Sequence, residues 1–138
     1  MVKYETIPHT ADVGIRVRGK DQRELFSSAA EGMFDIIADI AGLEPDVCID
    51  VDIRAGSPEE LMVAWLDELL YAFYTKNLIF SKFDIIDIGQ DRLKARASGR
   101  HIGDNRNRLK KEIKAVTFHN LDVKESPDGF SAEIIFDV

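Results

Sequence analysis

Ser57-Pro58-Glu59-Glu60-Leu61-Met62-Val63-Ala64-Trp65-Leu66-Asp67-Glu68-Leu69-Leu70-Tyr71-Ala72-Phe73-Tyr74 carries the clearest local instruction in the chain. Ser57 offers an N-cap hydroxyl, Pro58 suits the first helical position, and Glu60 completes a capping box. Beyond it apolar residues run almost continuously to about Thr75. The pattern predicts a helix buried on more than one side, the spine of the core. Trp65, Tyr71, Phe73 and Tyr74 lie on it and read as packing aromatics rather than as a stacking platform for bases.

Upstream, Val47, Ile49, Val51 and Ile53 alternate with Asp46, Cys48, Asp50 and Asp52. This predicts a strand with one core face and one mainly acidic face. Alternate residues on a strand spread their carboxylates, so the row reads as a solvated face and not a metal site. Earlier still, Asp21 and Glu24 form a second capping box for a helix expected to run to about Ile40 and to end at Gly42. Residues 3–7 and the alternation Val13, Ile15, Val17 predict two strands, joined by the turn Pro8-His9-Thr10-Ala11-Asp12.

Downstream, residues 83–88, Leu93-Ala95-Ala97, 113–123 and 130–136 are strand-like, with Pro127-Asp128-Gly129 as a hairpin turn. The polar stretch 104–108 predicts a flexible loop. Two helices interleaved with six or seven strands predict an α+β fold. The expectation is a single two-layer domain over residues 1–138, a mixed β-sheet with the two main helices packed on one face.

The 138 residues are 45% hydrophobic and 31% charged, which suits one globular domain. A single cysteine, Cys48, forms no internal disulfide and reads as an inert small residue. With no leader-like start, the expected compartment is the reducing cytoplasm. No apolar run approaches the roughly 20 residues needed to cross a bilayer, so no membrane partner is expected. The net charge of −7 argues against indiscriminate binding to nucleic acid. Yet between Arg92 and Lys114 nine basic residues meet only two acids, which predicts a basic sector on an acidic body. Such a sector reads either as a solvated face or as a surface for phosphates or an acidic protein.

The three histidines, His9, His101 and His119, fall in separate segments without metal-ligand spacing, and no phosphate-loop, dinucleotide or serine-hydrolase motif occurs. What remains is oxygen chemistry. Asp12 sits on a turn, while Asp137 ends a strand and is followed by the α-carboxylate of Val138. If the sheet brings these together, three carboxylates converge, and a hard cation such as calcium would relieve their repulsion. Otherwise Asp12 caps its turn and Asp137 is a solvated chain end, which from spacing alone is the simpler reading.

Four ordered segments change the weight of these residues. His9-Thr10-Ala11-Asp12-Val13-Gly14-Ile15, Leu61 to Tyr71, Lys111-Glu112-Ile113-Lys114-Ala115-Val116-Thr117-Phe118-His119 and Phe136-Asp137-Val138 together resemble the archease family, over essentially the whole chain. That resemblance implies a protein cofactor of the RtcB-type tRNA-splicing RNA ligase, not an enzyme and with no catalytic residues of its own. It would promote guanylylation and multiple turnover of the ligase and broaden its nucleotide use, meeting RNA through the ligase complex.

The resemblance further implies a bound calcium or other divalent ion, held by Asp12, Asp137 and the terminal carboxylate of Val138. Lys114 is implied as a separate functional group, expected on the basic sector away from the carboxylate tip. His9 and His119, in the matching segments, stand beside it as candidate partner contacts. Pro8 stands where many members carry an acid, and Phe118 replaces a common tyrosine. Two other classes remain open on the residues: a metal-dependent nucleotide or RNA hydrolase using Asp12, Asp137 and His9, and an RNA-binding chaperone module using the basic window.

Overall fold

A computed structural model of the chain describes residues 3–8 and 12–138, with only the backbone at Pro8. The elements follow in the order β1 Tyr4–Pro8, β2 Asp12–Gly19, α1 Gln22–Ile37, β3 Val47–Arg54, α2 Pro58–Lys76, β4 Leu78–Ile88 and β5 Arg92–His101. After a short 3-10 helix, Gly103–Arg108, come β6 Ala115–Val116, β7 Lys124–Ser126 and β8 Gly129–Asp137. The expected α+β domain with two main helices is what the chain forms. Where the hydropathy pattern suggests one mixed sheet, the strands divide between two, and every described ladder is antiparallel.

The first sheet runs β1-β2-β8-β6, with β7 on the same side of β8 as β6; the second runs β3-β5-β4. Helix α1 touches β1, β2 and β8 of the first sheet and β4 of the second, and α2 touches β6 of the first and all three strands of the second. The helices therefore tie the two sheets into one core.

Both N-caps form as the spacing predicts. The Glu24 N–H donates to Asp21 Oδ1 at 2.8 Å, and the Glu60 N–H donates to Ser57 Oγ at 3.1 Å. Each satisfies one of the orphan donors of a helix start. α1 ends at Ile37, short of the expected Ile40. Ala38 turns extended and bridges Leu109, and the Asp39 N–H donates to the Arg108 carbonyl at 2.7 Å. A tertiary partner captures backbone that the apolar spacing would have kept helical.

Trp65 on α2 is fully buried and donates its indole N–H to the Phe26 carbonyl of α1 at 2.9 Å, which fixes the two helices against each other. Gly32 lets α1 approach the first sheet: a Cβ there would sit 3.0 Å from Ile15 Cδ1 and 3.1 Å from the Tyr4 ring. Tyr4 in turn hydrogen-bonds Asp35, and its burial together with Asp35 and Glu31 pushes the phenol up to about 12. Of the helix aromatics, Trp65 and Phe73 are core as expected, but Tyr71 and Tyr74 are not, being 65% and 45% exposed.

The predicted strand over 113–123 shrinks to Ala115–Val116: Lys114 and Thr117 still bond to β8, while Ile113 and Val123 bond to side chains of α2. The 104–108 stretch, expected as a flexible loop, lies within the 3-10 element Gly103–Arg108, which is kinked at Asn105. Residues 127–129 are a hairpin turn as expected, but the strand that enters it is β7, Lys124–Ser126, beyond the 113–123 stretch that the residue pattern marked.

Trp65→Phe keeps most of the buried ring but removes the N–H donor and leaves a void. It is expected to cost about 2 kcal/mol of stability. In urea unfolding the midpoint should fall with the slope unchanged.

Candidate functional site

The β2–β8 ladder runs from Gly19↔Phe130 to Asp12↔Asp137, eight residues in unbroken register. Val13, Ile15 and Val17 face the core with Phe136, Ile134 and Ala132, so Asp12 and Asp137 come out opposite one another on the other face. Residues so placed have Cβ atoms about 5 Å apart, and two like charges there repel. Phe136 is fully buried and Val138 packs partly against the core, which holds Asp137 between two anchored neighbours.

On the far side of β8, Ala115 of β6 is the partner of Asp137, and the Lys114 N–H donates to the Asp137 carbonyl at 2.7 Å. Lys114 is exposed. The expectation that it stands apart from the carboxylate tip is corrected here: backbone pairing puts it beside Asp137. Asp12, Asp137 and Lys114 thus come from three neighbouring segments of one sheet.

His119 lies elsewhere. Thr117 pairs with Ile135 through N–H and hydroxyl bonds of 3.0 and 2.9 Å to one carbonyl, and the chain then turns, with the Leu121 N–H bonded to the Phe118 carbonyl. His119 is exposed in that turn, displaced along β8 from Asp137. His9 lies outside the described residues. Among the described residues no group of three or more His, Cys, Asp or Glu side chains is arranged to hold a metal ion. The surface cavities of about 670 Å³ beside Ser57 and about 530 Å³ beside Arg18 contain none of Asp12, Asp137 and Lys114.

Three α2 side chains hold the Lys114 segment, and the residue patterns alone did not single them out. Tyr74 Oη donates to the Ile113 carbonyl at 2.7 Å, and Glu59 Oε2 accepts the Val123 N–H at 2.8 Å. Between them the Asp67 carboxylate accepts the Val116 N–H. The 113–123 segment therefore runs antiparallel to α2 and is pinned at both ends and near its middle. The available signal was weak, since Glu59, Asp67 and Tyr74 share α2 with Glu60, Glu68 and Tyr71. Burial pushes the Asp67 carboxyl above its ordinary range, against the smaller opposing effect of the Val116 N–H.

The basic sector is also corrected. β5 is the middle strand of its sheet, with Asp50↔Arg96↔Asp84 and Asp52↔Lys94↔Asp87 in register. Arg96 Nε lies 3.0 Å from Asp50 and Arg92 Nη2 lies 3.2 Å from Asp52. Arg108 donates to the Asp39 and Ala41 carbonyls, and Lys110 lies 3.9 Å from Asp35. Much of the basic window is thus answered by the acidic strands beside it.

Residues 4–138 match the model of the Archease protein family (MTH1598/TM1083). This chain belongs to the archease family. The "Protein archease" of Methanosarcina acetivorans is 34% identical over 140 residues, covering 99% of this chain and 96% of that one. Its Pyrococcus furiosus counterpart is 32% identical with both chains fully covered. The solution structure of Methanobacterium thermoautotrophicum protein 1598 superposes with a TM-score of 0.79 at 29% identity over the whole of both chains. A Thermotoga maritima archease, possible chaperone, shares the fold at a TM-score of 0.67 and 19% identity, covering 97% of this chain and 96% of that one.

Because the Asp67 carboxyl is raised in the folded chain, the folded state holds its proton to higher pH than the unfolded state does. The associated stability is present at low pH and is lost as pH rises from about 4 through the raised value. Asp67→Asn keeps an acceptor for Val116 and has no charge to bury. Its stability relative to the parent chain, read by urea unfolding from pH 4 to 7, is therefore expected to improve as pH rises.

Proposed function

We propose that this chain activates an RtcB-type RNA ligase as a protein cofactor, promoting its guanylylation and multiple turnover, broadening its nucleotide use, and performing no covalent chemistry itself. What supports the reading is membership of the archease family together with the meeting of Asp12, Asp137 and Lys114 on adjacent strands at one end of the sheet. His119, exposed farther along the same edge, and His9 remain candidate contacts to the ligase.

The donor set fits a hard divalent cation such as calcium. Two carboxylates held opposite one another repel, and oxygen ligands are what calcium takes. Asp12, Asp137 and the carboxylate of Val138 would hold the ion, with backbone carbonyls and water completing a shell of about 6 to 8 oxygens. When bound, it supplies positive charge near a ligase centre that handles triphosphate and RNA phosphates. The chain's own part is to fix the two carboxylates by register, and to hold the Lys114 backbone against Asp137 so that its exposed side chain can meet a phosphate or an acidic surface of the ligase. No helix among the described residues is long and apolar enough to cross a membrane, and we place this work in the cytoplasm.

Two measurements test the reading. Calcium alone is expected to raise the thermal midpoint in a concentration-dependent way, and Asp12→Asn or Asp137→Asn to remove most of that rise. A shift that survives both substitutions rejects these carboxylates as ligands.

Multiple-turnover ligation by the ligase from the same source, with limiting ligase, GTP and metal, is expected to need this protein. Lys114→Ala should weaken the stimulation in a way mimicked by added salt. Unchanged ligation with and without the protein would sink the cofactor reading. GTP or RNA turnover by the protein alone would favour the hydrolase class.

A further inference from the structure

β3 is an edge strand whose free side is unusually regular. Among the described residues it pairs with β5 alone, in unbroken register from Val47↔Gly99 to Arg54↔Arg92. The other edge of that sheet, β4, is interrupted by irregularities between Phe80 and Lys82 and between Ile85 and Asp87, and the Arg23 guanidinium donates to its Ile85 carbonyl. Bulges and covering groups are how edges are usually closed to further pairing. β3 has eight residues and no irregularity in its register.

The phase of the ladder settles which groups face outward. The Ala55 N–H donates to the Asp91 carbonyl, which continues the same register, so the odd residues Val47 to Ile53 exchange bonds with β5. The N–H and C=O groups of Cys48, Asp50 and Asp52 therefore point away from β5.

Both faces of this edge carry the same template that β5 already satisfies from inside. On the core face Val47, Ile49 and Ile53 are only partly buried, although they pack against the core. On the outer face Asp46, Asp50 and Asp52 are exposed, and β5 meets them with Arg100, Arg96 and Arg92. β5 does this by alternating buried Leu93, Ala95 and Ala97 with its basic residues. A second copy of β3 is the wrong occupant, because antiparallel self-pairing about residues 50–51 sets Asp50 against Asp50 or Asp52, and like charges directly opposite repel.

We infer that the free edge of β3 is a docking site for an extended segment of another protein with alternating apolar and basic residues, taken up as an added strand. Main-chain bonds to Cys48, Asp50 and Asp52 would supply affinity, and the two side-chain rows would supply selectivity.

The test uses the full chain and a peptide with the β5 sequence, Arg-Leu-Lys-Ala-Arg-Ala-Ser-Gly-Arg-His, as the probe. Its control carries Arg92→Glu, Lys94→Glu and Arg96→Glu. Added basic peptide is expected to slow hydrogen exchange at the Cys48, Asp50 and Asp52 amides, and the acidic control is not. Asp50→Lys with Asp52→Lys should weaken the basic peptide by about tenfold and admit the acidic one. Asp50→Pro removes an outward N–H without touching a β5 bond, so it should abolish binding while the circular dichroism and thermal midpoint stay near those of the parent. Unaltered exchange at these amides with millimolar basic peptide overturns the inference, and the acids then serve only to keep the edge from self-pairing. Equal binding of both peptides, or concentration-dependent self-association through this edge, overturns it as well.

Discussion

The central position of β8 constrains everything at the candidate site. It pairs with β2 along its length on one side and with β7 and then β6 on the other, so three separate parts of the chain take their register from one strand. It can do this because Ala132, Ile134 and Phe136 are buried on the core face while Glu133 and Asp137 are exposed on the other. A slip of one residue would turn the apolar set to solvent, so the register is strongly specified. The opposition of Asp12 and Asp137, and the bond from Lys114 to the Asp137 carbonyl, are consequences of that specification.

Charge follows a similar rule. A count along the chain finds a basic window, but residues adjacent in sequence on β5 are adjacent in space to Asp50, Asp52, Asp84 and Asp87 on its two neighbours. These ion pairs are exposed, so each contributes little to stability. Their larger effect is on the outer potential of the sheet, which is much closer to neutral than the sequence run implies. Lys114 lies past the end of β5, and its neighbours are those of the first sheet's tip.

What was legible in the residues was local. Both helix starts could be read because Asp21 and Ser57 act on backbone N–H groups three residues away, a distance the sequence itself displays. The 127–129 hairpin turn was legible for the same reason. The division into two sheets was not, since it depends on β2 meeting β8 across most of the chain, and alternation alone does not say which strands meet. The end of α1 was missed because Arg108 and Leu109, far along the chain, capture the backbone of residues 38–39. At the site, Asp12 and Asp137 were singled out as carboxylates and by resemblance, while Glu59, Asp67 and Tyr74 were not. Their partners are backbone groups of a remote segment, which leave no mark in a residue pattern.

That segment shows how the two layers cooperate. Residues 113–123 join only a two-residue strand, too short to fix an irregular chain by itself. α2 completes the work, with Tyr74 and Glu59 at the ends and Asp67 on the Val116 N–H. The N-cap at Ser57 and the buried Trp65–Phe26 bond set where α2 lies, and α2 sets where the Lys114 segment runs. Lys114 is thereby referenced to the helical core through its flanking backbone and to Asp137 through its own N–H, two independent constraints on the backbone that carries one exposed side chain. A lysine so anchored has its backbone fixed at the end of the sheet while its four-carbon stem stays free to follow an incoming phosphate.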